Sequence, residues 1–160
     1  MRSECRTAAM LALLAAAPPV LAQTDDAVLK AAYIYNIAQF TAWPAGAGTR
    51  PLNVCVGSGH VLWESLRRLQ GKPVEGRRLA IVEPAPGTVC DVAVLPAGAE
   101  RAAGDGATLV IVDEPAGGYA GAVALVEEDQ RLRFDIDTKE AARAGLRFSS
   151  RLLRLARNVR

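Results

Sequence analysis

Ser58 and His60 stand two residues apart in the string Gly57-Ser58-Gly59-His60, between a strand-like and a helix-like segment. A glycine-rich turn that opens a helix can cradle phosphate, and an imidazole can act as a base. The dinucleotide fingerprint is incomplete, because Leu62 stands where its third glycine would fall. His60 is the only histidine, and no serine, cysteine or carboxylate beside it in sequence completes a recognisable relay. The stretch therefore reads as a plain strand-to-helix turn, and His60 as a surface residue at a helix start. Asp113, Asp135 and Asp137 lie near strand ends, where α/β sites usually sit. Paired carboxylates can perform acid–base work or hold a cation. Asp137 is explained by helix capping, and Asp113-Glu114-Pro115 by a turn. No catalytic residue and no cofactor is assigned.

The cysteines carry the remaining chemistry. Cys5, Cys55 and Cys90 are three, and the first lies in a leader-like segment. Arg2 and Arg6, an apolar Thr7–Ala17 run, Pro18-Pro19 and Val20-Leu21-Ala22 follow the order of a secretory signal peptide, expected to be cleaved after Ala22. The run of about 11 residues is short for a spanning helix, which needs roughly 20. Cys5 precedes the run, which argues against a lipoprotein. Removing residues 1–22 leaves 138 of the 160, enough for one domain over 23–160. Losing two arginines and one glutamate lowers the net charge from +2 to +1. That balance provides no strong field for nucleic acid. Export leaves Cys55 and Cys90 as an even pair in an oxidising compartment. They are expected to form a disulfide closing about 36 residues, worth roughly 3–4 kcal/mol in the chain-entropy model, the alternative being two buried thiols. Two cysteines and one distant histidine lack the spacing of a metal site.

The elements that position these residues read as follows. Asp26 to Pro44 is a helix that is apolar nearly all the way round, stopped by Trp43-Pro44. Pro51–Gly57, Leu79–Val82, Cys90–Leu95, Thr108–Asp113, Val123–Val126 and Leu132–Ile136 read as strands. Gly59–Leu69 reads as a helix and Gly98–Gly104 as a brief one. Continuous apolar strands alternating with helices indicate a mainly parallel, twisted sheet of about five to six strands with helices on both faces. The five polar residues Glu127–Arg131 are too short for a crossover, so the last two strands form an antiparallel hairpin. The whole is a single compact α/β domain. Asp137 with Glu140 has capping-box form, Gly145 reads as a helix stop, and Ser149 or Ser150 caps a last helix running to about Val159.

Two helices stand out as candidate partner surfaces. The first carries Tyr33 and Tyr35 and ends at Trp43, all favoured binding anchors. Its lack of a polar face requires cover by the fold, by a second copy or by a target. The last helix carries Arg151 and Arg154 beside an apolar stripe, suited to an acidic partner surface or to anionic lipid heads.

The strings LKAAYIYNIAQFTAWP, LNVCVG, CDVAVL and RLRFDIDTKEAARAGLRFSSRLLRLARNV together resemble the YfiR family of periplasmic proteins, over nearly all of residues 27–159. The resemblance is specific at both ends and loose in the middle. It implies a compact α/β domain that represses a membrane-bound diguanylate cyclase by binding the cyclase's periplasmic region, and therefore a regulator of cyclic-di-GMP signalling rather than an enzyme. It also implies a disulfide between Cys55 and Cys90. A second disulfide known in some members finds no cysteines here, and Asp137 stands where the family commonly has Asn. The contrasting expectation is a periplasmic small-ligand binding protein with no cyclase partner.

Overall fold

A computed structural model describes residues 20–45, 48–99 and 106–160. Most of the expected signal segment, and all but the start of the brief helix expected over Gly98–Gly104, lie outside these residues.

The first helix, α1, spans Val20–Gln39, so it begins before the expected cleavage point and ends short of Pro44. Ala27, Lys30, Ala31, Ile34, Ile37 and Ala38 form its buried stripe. Its end is made by the chain folding back on the helix. Thr41 Oγ1 donates to Ile37 O at 2.7 Å, and β1 (Thr41–Ala42) leaves in an extended conformation.

The sheet is built on five mutually parallel strands. These are β2 (Leu52–Cys55), β4 (Arg77–Val82), β5 (Val92–Leu95), β6 (Leu109–Asp113) and β7 (Val123–Glu128), in the spatial order β4-β2-β5-β6-β7. All five residues of β6 are buried, as its near-continuous β-branched composition requires. β8 (Arg131–Ile136) pairs antiparallel with β7 over six residue pairs, the expected hairpin. Asp129 and Gln130 make the turn at φ 49° and 58°. Three further short strands depart from the sequence expectation. β3 (Pro73–Val74) extends one edge beside β4 and β10 (Asn158–Val159) the other beside β8, giving eight strands. β9 (Arg147–Phe148) pairs with β1 in a separate two-stranded ribbon.

The helices also depart from expectation. α2 is only Trp63–Arg67, α3 is Thr138–Arg143, and α4 is Ser150–Leu155. Buried residues from all four helices, among them Ile34, Leu66, Ala141 and Leu152, join one core cluster with Leu52, Val54, Leu109, Ile111, Val123 and Phe134 of the sheet. Residues alternating with these, Cys55, Val110, Val112 and Ala124, are buried on the other face. Among the described residues, the helices thus cover one face, not both. The cause is that the β4–β5 and β6–β7 connections are loops. One of them is pinned to β2 by the Cys55–Cys90 disulfide, with Cα atoms 5.6 Å apart.

The last helix stops at Leu155 rather than near Val159. Ala156 turns to φ −65°, ψ 145°, Arg157 N–H donates to Phe134 O, and Asn158–Val159 add to β8 in parallel. Sheet hydrogen bonds at an open edge replace those of a further helical turn. The caps are as expected. The Asp137 carboxylate accepts from the Lys139 and Glu140 amides, and Ser149 Oγ accepts from Leu152 N–H. Gly145 ends α3 at φ 71°.

Candidate functional site

The residues first singled out for chemistry are placed apart. Ser58 Oγ donates to Glu83 Oε1 at 2.6 Å and has no described contact with His60. The His60 side chain is 6% exposed rather than a surface group. Its Nδ1 accepts from Leu62 N–H at 3.1 Å, so the neutral ring carries its proton on Nε2, which faces Asp113 Oδ2 at 3.9 Å. With one nitrogen accepting and the other turned to a carboxylate, the ring is held as a packed group rather than as a free base. Burial pushes its pKa down; Asp113 opposes this and Lys30 reinforces it.

Asp113 is more than a turn residue. It ends β6 buried, and the buried Lys30 ammonium lies 3.1 Å from its Oδ1. Lys30 also pairs with Asp26 at 3.0 Å and with Glu114. Burial works against the Lys30 charge, but Glu114, Asp26 and Asp113 raise its pKa well above the usual lysine range. Lys30 is the only basic residue in α1, and a lone cation on a helix's apolar side is the signal that could have marked it.

A second ion cluster, built on buried Asp91 and Arg77 with exposed Arg50, closes the opposite, N-terminal ends of the parallel strands. Asp91 accepts from Arg50 Nη1 and Nη2 at 2.7 Å each, from Arg77 Nη2 at 2.8 Å and from Asn53 N–H at 2.8 Å. Burial raises the Asp91 carboxyl, but the Arg50, Asn53 and Arg77 bonds outweigh it and hold the pKa below the usual value. Both clusters fasten separate elements together, although Arg77 Nη1 and Asp113 Oδ1 are buried without a hydrogen-bond partner among the described residues.

A wide concavity lies elsewhere. An open groove of about 800 Å³ runs between α1, β8 and α4. Leu29, Tyr33, Phe40, Leu152 and Leu155 provide apolar surface, and Arg131, Arg133 and Arg151 provide positive charge. Tyr33 stacks edge-on with Phe134 at 6.0 Å between ring centroids, and its hydroxyl donates to Leu132 O at 3.2 Å. The Arg151 guanidinium lies 5.6 Å from the centre of the Phe40 ring. Among the described residues, no Asp or Glu lines the groove.

Of the five candidate partner residues, the fold brings Tyr33 and Arg151 into this groove. Tyr35 lies off it, its hydroxyl donating to Pro73 O at 2.8 Å, as does Trp43, whose Nε1 donates to Ala38 O at 3.3 Å. Arg154 is exposed outside the lining. Sequence reasoning missed Leu29, Arg131 and Arg133. The two arginines alternate with Leu132 and Phe134 along β8, a visible pattern whose neighbourhood to α4 only the tertiary fold creates.

No curated protein matches the chain. Residues 27–157, from within α1 to the start of the tail strand, match the family described as YfiR/HmsC-like. That span covers most of the chain and includes both flanks of the groove, so the chain belongs to the YfiR/HmsC-like family.

Proposed function

We propose that this chain is a periplasmic regulator of cyclic-di-GMP signalling that binds the periplasmic part of an inner-membrane diguanylate cyclase and holds it inactive. Family membership over residues 27–157 carries this reading. The Cys55–Cys90 disulfide is consistent with export to an oxidising compartment. In this reading residues 1–22 are a cleaved signal and 23–160 the active protein, with Tyr33 and Arg151 at the partner surface. Repression requires unequal affinity for the active and inactive arrangements of the cyclase.

The experiment is affinity capture of the tagged mature protein from solubilised membranes. Recovery of an inner-membrane cyclase supports the reading. Recovery of nothing specific, together with a small molecule that raises the melting temperature, replaces it with the ligand-binding alternative.

A further inference from the structure

We propose that the groove between α1, β8 and α4 docks an acidic, amphipathic segment of another protein. The apolar side chains of that segment seat against Leu29, Tyr33, Leu152 and Leu155, and its carboxylates pair with Arg131, Arg133 and Arg151. The assignment rests on the reading of the chain as a regulator that works by binding, and it specifies the chemistry of the bound segment.

Three observations lead to it. The first is uncovered apolar surface: Leu29 is 46% and Leu155 61% exposed, and both line the groove. The second is charge. Arg131, Arg133 and Arg151 form no ion pair with any described residue, whereas Arg157 on the same tail is taken by Asp135 and Glu128. A lining with three arginines and no carboxylate among the described residues is complementary to acid. The third is arrangement. The groove sets buried Leu132, Phe134 and Leu152 and half-buried Tyr33 beside exposed Arg131, Arg133 and Arg151, a mix of apolar and charged surface of the kind protein interfaces have. A small-molecule pocket instead converges a few buried polar groups on its ligand, and here Tyr33 has already committed its hydroxyl to Leu132 O.

Charge also argues against the other occupants. A second copy seated two-fold on this groove would bring the same arginines face to face, which is repulsive. A flat lipid surface would meet the rim and leave the concave floor uncovered.

The test places a photo-reactive side chain at Leu29 or Leu155 of the full-length protein, with Val61, 75% exposed and lining a different cleft, as control. The protein is expressed in cells that also hold the candidate cyclase. The expected product joins both groove positions, and not Val61, to one protein segment rich in carboxylates and apolar residues. Replacing Arg133→Glu with Arg151→Glu should lower the yield about tenfold or more, as like charges across an interface do. Lysines at the captured segment's carboxylates should restore it. Arg131→Glu with Arg133→Glu is the second variant, since neither guanidinium has a described hydrogen bond and the Arg151–Phe40 stacking stays intact. Cross-linking to a second copy, to lipid or to a basic segment overturns the proposal, as does a yield indifferent to charge reversal. Cyclic-di-GMP measured in the deletion strain separates the two failures. A rise without groove cross-links keeps the regulatory reading and removes the groove. An acidic segment captured from a protein that is not a cyclase keeps the groove and removes that reading.

Discussion

The Lys30 ammonium lies 3.1 Å from Asp113 Oδ1, both side chains buried, and so ties the middle of the first helix to the end of the central strand. Lys30 neutralises a carboxylate that would otherwise be an isolated charge beside the core. Lys30→Met should therefore destabilise the protein by about 3–5 kcal/mol, because it leaves Asp113 buried and uncompensated. Adding Asp113→Asn should recover a large part of the loss. Urea unfolding of both variants measures the difference.

His60 should make stability depend on pH in a window of its own. Burial holds its folded-state pKa below the usual histidine value of 6.5, reinforced by Lys30 and opposed by Asp113. The unfolded state then binds the proton more readily than the folded state does. The resulting stability is fully present above about 6.5 and is lost as pH falls from there through the lower folded-state pKa. Asp91 and Asp135 are depressed carboxylates, and what they contribute is lost only in the acid range. Denaturant midpoints between pH 5 and 7 should thus fall on acidification, and His60→Asn, which can still accept from Leu62 N–H, should flatten that slope.

Much of the frame could be read from local pattern. Glu127–Arg131 is too short to do anything but turn, and Asp137 and Ser149 cap helices through bonds to amides two or three residues on. What could not be read depends on distant partners. Lys30 stands out locally as a lone cation on an apolar helix, but its partner Glu114 lies 84 residues away and has no local sign. The last helix stops at Leu155 because Asn158 and Val159 find the open edge of β8, a competition that helical periodicity does not show. Helices were expected on both faces because strands apolar on both sides require cover, but loops can provide it. Tyr33 and Arg151 were visible as anchors; that they share one groove follows from α4 packing beside α1.

The disulfide should be structural. Replacing Cys55 and Cys90 together by Ser should cost about 3–4 kcal/mol by the chain-entropy estimate. That corresponds to roughly 10–15 °C in melting temperature for a domain of this size. Thiol labelling of the unfolded, unreduced protein should find neither cysteine free; full labelling of both would contradict the covalent link.

Maturation gives a fourth expectation. Amino-terminal sequencing of the exported protein should begin at Gln23 or within a residue or two of it. Recovery of Met1 on a membrane-bound form would show that the leader is retained.

The central claim is tested most directly by the intracellular level of cyclic-di-GMP in a deletion strain that expresses the candidate cyclase. Deletion should raise it, the wild-type chain should reverse the rise, and the Arg133→Glu, Arg151→Glu variant should not reverse it at an unchanged melting temperature. A level that does not move on deletion would contradict the claim.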